Sequence, residues 1–349
     1  MIFDAKTYMQ LAIDLAQKGL GQVKSNPLVG AVVVCNDKVI GRGFHEKYGE
    51  AHAEVNAINS VEDKSLLAQS TLYVTLEPCA HQGKTPPCAS LIVAHQIPRV
   101  VVGQQDPNPK VNGKGIEFLR ANGVEVVTGI EEKACRWMNR RFNAHFEKQR
   151  PYIILKWAQS ADGFIDPART NGEKGSIAIS SAASRALVQQ WRKEEMAILV
   201  GRQTVAVDNP RLTFHADNSQ SPIRFVIDPQ LQLQPYTQYH IGHCPPNTVV
   251  VCKDNPQLDQ LPEGMIALPY SNHAIETILQ YCFVNGITSI LVEGGGHTLQ
   301  TFIDQNCWDE ARIFESPQLL GQGTAAPVWS EKLSEQQTIG DDQLKIYYR

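Results

Sequence analysis

Hydrophobic positions along the chain fall into two alternating patterns. Residues 4–19 carry apolar side chains at helical spacing, and Gly19 and Gly21 end the run. VGAVVV is a continuous apolar block, Asn36-Asp37 a turn signal, and KVIGRGFH its hairpin partner. The same reading predicts a helix over 52–60, a strand over 71–76, a helix over 88–95 and a strand over 99–103. A helix over 114–122 follows, then a strand at VEVVTG and one helix over EEKACRWMNRRFNAHFEKQ. The pattern restarts near Gln149-Arg150-Pro151. Beyond it PYIILKWAQSADGFI, AILVG, RFVID, NTVVVCK, SILV, ARIFESPQLLG and LKIYYR predict strands. Residues 181–195, 274–285 and a stretch opening near Thr298 predict helices, and TVAVDNPRLTF a loop or short helix. Alternating strands and helices imply two α/β domains, 1–147 and 150–349, with no internal repeat relating them.

The polar positions that interrupt this pattern carry the chemistry. His52, Cys79 and Cys88 are an imidazole and two thiols, a set that supplies three zinc ligands and leaves the fourth position open for water. Glu54, two residues after the histidine, is placed to move protons without binding the metal. His-x-Glu, then Pro-Cys, then a further Cys is the pattern of zinc nucleobase deaminases. Unrelated core residues are the plain alternative for any one of these. The joint occurrence, with Pro78 and Pro87 before the two cysteines, favours the zinc site. Eight residues separate the cysteines where such enzymes usually have two, and the insert carries His81 and Lys84, a cationic pair suited to a phosphorylated substrate. Asn26, His45, Asp106 and Asn108 flank the same elements and are candidate substrate contacts. The loop bearing Asp106 and Asn108 follows a strand, where open sheets place their ligands. In the second half Gly294-Gly295-Gly296 joins a strand to a helix, an arrangement that can hold a phosphate, with Glu293 at the strand end.

Composition narrows the partners. The net charge is −4 with no long basic run, so a nucleic-acid surface is not expected. The basic, aromatic stretch at 131–149 alternates with acidic residues and does not change this. No apolar run approaches a membrane span, and the amphipathic start of the chain does not resemble a signal peptide. Eight cysteines in a chain this long point to reduced thiols and the cytoplasm.

Nearly the whole chain resembles the bifunctional deaminase–reductases of riboflavin biosynthesis. The resemblance is carried by SNPLVGAVVV, GFHEKYGEAHAE, LEPCAHQGKTPPC, QDPNP, LKWAQSADG, AILVGRQTVAVDNPRLT and LVEGGG. It implies a cytidine-deaminase-like three-layer first domain and a dihydrofolate-reductase-like second domain. The first would use zinc to deaminate a phosphorylated ribosylaminopyrimidine. The second would use NADPH to reduce the ribosyl group to ribityl. By position, Asn26, His45, His81, Lys84, Asp106 and Asn108 would contact the deaminase substrate. Ser176, Arg192, Leu212, His215 and Glu293 would contact the reductase substrate. Ala158, Ala178, Thr204, Asp208 and the run Gly295, Gly296, His297, Thr298, Leu299, Gln300, Thr301 would meet NADPH. Lys156 and Asp162 fall near the reducing centre. Ala178 stands where the family has tryptophan, and His215 where it has arginine, with Arg211 an alternative for that role. A homo-oligomer, dimer or tetramer, is expected. A polynucleotide deaminase, a non-catalytic zinc protein and a dihydrofolate reductase proper are the rival readings. The first lacks basic charge, the second leaves Glu54 without a purpose, and the third leaves the first domain unexplained.

Overall fold

The computed structural model describes residues 4–80, 86–169, 173–214, 221–243, 247–253 and 261–349. The chain forms two compact units, Met1–Lys148 and Gln149–Arg349.

The first unit runs α1 (Ala5–Ala16), β1 (Gly30–Cys35), β2 (Lys38–Phe44), α2 (Ala53–Asn59), β3 (Thr71–Leu76), α3 (Cys88–Ala94) and β4 (Arg99–Gln104). Then come α4 (Lys114–Ala121), β5 (Glu125–Thr128), α5 (Glu132–Met138) and α6 (Arg140–Lys148). The sheet order is β2-β1-β3-β4-β5. β1 pairs antiparallel with β2 and β3, while β3, β4 and β5 are parallel. Alternation along each strand splits the core between two faces. Ala31, Val33, Val74 and Val102 pack with Ala57, Ile58, Ile92 and Leu119 of α2, α3 and α4. Val32, Val34, Tyr73 and Val101 pack with Met9, Ala12, Ile13 and Met138 of α1 and α5. This is the expected three-layer sandwich, in which each strand residue is committed to one helical layer or the other.

One helix expected at 131–149 is two. Asn139, between α5 and α6, turns its amide onto the backbone of Leu28. Its Oδ1 accepts from the Leu28 N–H at 2.8 Å, and its Nδ2 donates to the Leu28 carbonyl at 2.9 Å. The side chain thus serves as a strand partner for the segment that follows Asn26, and the helix breaks there.

The second unit contains β6 (Tyr152–Gln159), β7 (Phe164–Pro167), α7 (Ala182–Glu194), β8 (Ala197–Gly201), α8 (Arg202–Asp208), β9 (Ile223–Ile227), β10 (Thr248–Lys253) and β11 (Met265–Tyr270). α9 (Ala274–Val284), β12 (Ser289–Val292), α10 (Gly296–Asp304), β13 (Glu310–Glu315), β14 (Gly323–Ala325), β15 (Glu335–Ile339) and β16 (Asp342–Tyr348) complete it. Its nine-stranded sheet has the order β11-β10-β9-β8-β12-β6-β13-β16-β15. Pairing is parallel from β11 to β13, and antiparallel at β13–β16 and β16–β15. β7 and β14 form a separate ribbon. The sequence pattern did not predict β11, β14 or β15. β11 contains Pro269 and β15 reads EQQTI; both sit at sheet edges, where proline and polar residues are tolerated. The chain moves outward from β8 through β11, then returns to insert β12 between β8 and β6. That reversal opens a crevice at the carboxyl ends of β6, β8 and β12.

Candidate active sites

In the first unit β3 ends at Leu76, and Glu77-Pro78-Cys79 carries the chain off the sheet. Pro87 caps α3, so Cys88 opens its first turn. His52 caps α2 and Glu54 lies in that helix's first turn. These three segment ends converge. His52 Nδ1 is 3.3 Å from Cys88 Sγ and 3.7 Å from Cys79 Sγ. All three donor atoms lie within 4.8 Å of one another. Around a tetrahedral zinc with bonds of about 2.0 and 2.3 Å, nitrogen and sulfur stand about 3.6 Å apart. The side chains therefore fit zinc in both donor type and spacing.

The charges around this cluster are set by burial and by the closeness of its members. The Cys88 N–H donates to Cys79 Sγ at 3.4 Å, and hydrogen bonding from Cys88 draws the Cys79 thiol down, while the neighbouring Cys79 and burial push Cys88 up. The hydrogen bond with Cys79 raises His52. Glu54 is 3 % exposed, and burial pushes it up to about 7, a value matched to giving and taking protons near neutrality.

Four further residues belong to this corner. His45 is buried, and burial lowers its pKa, so the ring is neutral. Its Nδ1 lies 3.0 Å from the Ala51 carbonyl, which can only accept; the ring proton therefore sits on Nδ1. Nε2 is then the acceptor for Asn26 Nδ2 at 3.0 Å. The His45 ring meets His52 edge-on at 5.8 Å. Asp106, beyond the end of β4, is 7 % exposed and is pushed up to about 6, chiefly by burial and then by Glu77 and Cys79. Asn108 follows in the same loop, its N–H held by Asp106 Oδ1 at 2.8 Å. His81 and Lys84, like His215 of the second unit, lie outside the described residues.

In the second unit a cavity of about 1520 Å³ opens at the crevice. Single small-molecule pockets run to about 1,000 Å³, so the space suits a cofactor together with a substrate. Ala158, Ser176, Ala178, Arg192, Thr204, Asp208, Leu212 and Glu293 line it, as do Lys156 and Arg211. Gly295, Gly296, His297, Thr298, Leu299 and Thr301 line it as well. α10 begins at Gly296, two residues earlier than the pattern suggested, with Gly295 ahead of it at φ +66°. Gln300 is not in the lining; its side chain bonds Asp304 and the Val328 N–H. Asp162 is also outside it. Its carboxylate accepts from Ser160 Oγ and from the N–H groups of Leu320 and Gly321, which makes it a loop brace.

The floor of the cavity is charged. Arg192 Nε and Nη2 donate to the two Glu293 oxygens at 2.7 and 2.8 Å, a bidentate pair. Burial opposes the Glu293 charge, but Arg192 outweighs it and keeps the carboxyl below its ordinary value. Burial lowers Lys156, partly offset by Glu293. Arg169 holds Asp166 at 2.7 Å and reaches Asp208 at 3.5 Å. Arg169, Arg185 and Arg202 also line the cavity and were missed from sequence. Arg202 had a usable signal, because it follows Gly201 at the carboxyl end of a parallel strand.

The fold and the two sites define a zinc-dependent pyrimidine deaminase joined to a reductase. Residues 3–104 match the cytidine and deoxycytidylate deaminase zinc-binding region, and residues 151–345 match the RibD C-terminal domain. The chain is 40% identical to the riboflavin biosynthesis protein RibD of Aquifex aeolicus over 320 residues, 91% of this chain and 88% of that one. It is 41% identical to RibD of Bacillus amyloliquefaciens over 327 residues, 92% of this chain and 86% of that one. A diaminohydroxyphosphoribosylaminopyrimidine deaminase/5-amino-6-(5-phosphoribosylamino)uracil reductase from Thermotoga maritima superposes with a TM-score of 0.88 at 34% identity, covering 98% of this chain and 97% of that one. The chain belongs to the RibD family, the bifunctional deaminase–reductases of riboflavin biosynthesis. The family joins a zinc deaminase to an NADPH-dependent reductase. None of the described helices is long and apolar enough to cross a membrane.

Proposed function

We propose that the first unit removes the exocyclic amine of 2,5-diamino-6-ribosylamino-4(3H)-pyrimidinone 5′-phosphate and that the second reduces the ribosyl group of the product to ribityl. The observation that carries the first half is the convergence of His52, Cys79 and Cys88 with a buried Glu54 beside them. His52, Cys79 and Cys88 hold the zinc, which when bound supplies a water acidic enough to yield hydroxide near neutrality. Glu54 takes one proton from the attacking water and gives it to the ring nitrogen, then takes the second from the hydroxyl on the tetrahedral carbon and gives it to the amine, which departs as ammonia. His45, through its Asn26 partner, and Asp106 with Asn108 orient the pyrimidine. His81 and Lys84 are assigned to the phosphate on sequence alone.

In the second unit Ser176, Leu212 and the Arg192–Glu293 pair face the sugar. Ala158, Ala178, Thr204, Asp208 and the Gly295–Thr301 segment hold NADPH, which supplies hydride to the sugar's C1 carbon. Gln300 belongs to that segment through its backbone. Opening the ribosyl ring requires a proton at the ring oxygen. Lys156, weakened as a base by burial, is the group placed to deliver it; Asp162 acts only through the loop it braces. Arg211 lines the cavity four residues before His215 and is a second candidate for the phosphate. His215→Arg should remove any rise of reductase KM between about pH 6 and 8, whereas Arg211→Ala should raise KM at every pH.

The free cysteines among the described residues support a cytoplasmic enzyme. Its partners are small molecules, not nucleic acid or membrane, and it assembles as a homo-oligomer, which light scattering would measure. Glu54→Gln tests the reading. It should keep zinc and full reductase activity while deamination falls about 10²–10⁴-fold. Near-normal deamination would remove Glu54 from the mechanism.

A further inference from the structure

The Glu77 carboxylate is 4 % exposed and lies two residues before a zinc ligand, yet it makes no contact suited to the metal. It faces away, into the start of α4. Oε1 accepts from the N–H groups of Gly115 at 2.9 Å and Ile116 at 3.2 Å. Oε2 accepts from those of Gly113 at 3.0 Å and Asp106 at 3.2 Å. Its own N–H donates to the Gln104 carbonyl at 2.9 Å, which extends the β3–β4 ladder by one rung. One side chain therefore ties both ends of the 105–113 loop to the segment that delivers Cys79.

The surrounding residues are shaped for this. Gly113 caps α4 at φ +83° with no side chain to satisfy the helix's first N–H groups; the Glu77 carboxylate does so from the end of the neighbouring strand β3. At Gly115 a Cβ would sit 1.9 Å from the Pro78 carbonyl oxygen, so the first turn of α4 and the Pro78–Cys79 segment touch through bare backbone. Within the loop, Asp106 Oδ1 holds the Asn108 N–H, and Asn108 Oδ1 holds the N–H of Lys110 at 3.0 Å. The loop is thus hydrogen-bonded within itself and tied at both ends by the same carboxylate.

The structure assigns Glu77 a positioning role in deamination: it holds Asp106 and Asn108 in register with the zinc-ligand turn. This rests on the assignment of Asp106 and Asn108 to the substrate. An amide at position 77 can still accept through one oxygen, but its NH₂ group confronts two N–H donors. Misplacing a positioned group by about 1 Å costs up to about 10²-fold in rate.

The test uses the full-length zinc-loaded protein. Glu77→Gln should retain wild-type zinc content and reductase kinetics while deaminase KM rises about tenfold, with a smaller change in kcat. Amide exchange should accelerate at Asp106, Gly113, Gly115 and Ile116. Combined with Asp106→Asn it should raise KM little beyond the larger single effect, because both act through one loop. Unchanged KM for Glu77→Gln, or a double variant whose two costs multiply, would overturn the assignment. If Asp106→Asn alone leaves KM unchanged while Glu77→Gln raises it, the Asp106 contact falls and the Glu77 role stands, acting through Asn108. Should Glu77→Gln fail to fold, Glu77→Asp is read by the same criteria; it keeps the charge but withdraws it by one methylene.

Discussion

Removing the Glu293 carboxylate should expose how the reductase cavity is held. Glu293 neutralises Arg192 through two short hydrogen bonds, and its side chain is 7 % exposed against 15 % for arginine. In Glu293→Ala the Arg192 guanidinium keeps its charge and faces the Lys156 ammonium with no anion between them. Breaking a buried pair from one side costs about 3–5 kcal/mol. For a unit of roughly 200 residues, 1 kcal/mol lowers Tm by about 2–4 °C, so the expected drop is about 6–20 °C. Scanning calorimetry of the whole chain should show that drop only in the transition of residues 149–349. Reductase activity at permissive temperature should fall as well. Replacing both partners, Arg192→Met with Glu293→Leu, should recover at least half of the lost stability, because the uncompensated charge is gone. A Glu293→Ala transition within about 2 °C of wild type would show that the pair does not hold the cavity, as would a double variant less stable than the single.

Two other outcomes follow from the site geometry and one from the family's cofactor. Cys88→Ala should lose the bound zinc and all deamination, checked by metal analysis; wild-type zinc content would sink the ligand assignment. Asp106 is displaced from 3.8 to about 6 by burial. Its folded value lies above its unfolded one, so its favourable contribution is complete below about pH 4 and lost as pH rises through 6. Above that the ionised side chain costs the fold of the order of 3 kcal/mol, since each pKa unit is worth about 1.4. Asp106→Asn should therefore stabilise the first unit at pH 7.5 by up to that amount and not at pH 4, read from urea midpoints, while weakening deamination; equal effects at both pH values would contradict it. NADPH should exceed NADH in reductase kcat/KM; equal values would reject the preference.

The zinc cluster was legible because its information is local in type. Two cysteines behind prolines, a histidine and a glutamate two residues apart announce metal chemistry without a fold. Strand 71–76 was legible from the alternation and β-formers of TLYVTL, and strand 99–103 from its run of three valines, Val100 to Val102, buried between the two faces. The break at Asn139 was hidden, since its cause is the backbone of Leu28, 111 residues away in sequence. The Glu77 brace was hidden for the same reason: four backbone N–H groups in a distant loop leave no spacing pattern around the carboxylate. Gln300 and Asp162 show the converse limit. Their positions match residues near the cofactor, but their side chains are committed to Asp304, Val328, Leu320 and Gly321.

One chain is expected to perform a hydrolytic deamination and then a reduction. Incubating the protein with the diaminopyrimidine substrate, with and without NADPH, and identifying products by mass tests it directly. Without NADPH the product should be the deaminated pyrimidine alone, an amine replaced by oxygen with the ribosyl group intact. With NADPH it should carry two further hydrogens, in the ribityl form. Unaltered substrate in both tubes, or a reduced product that still carries the amine, would rule out deamination followed by reduction.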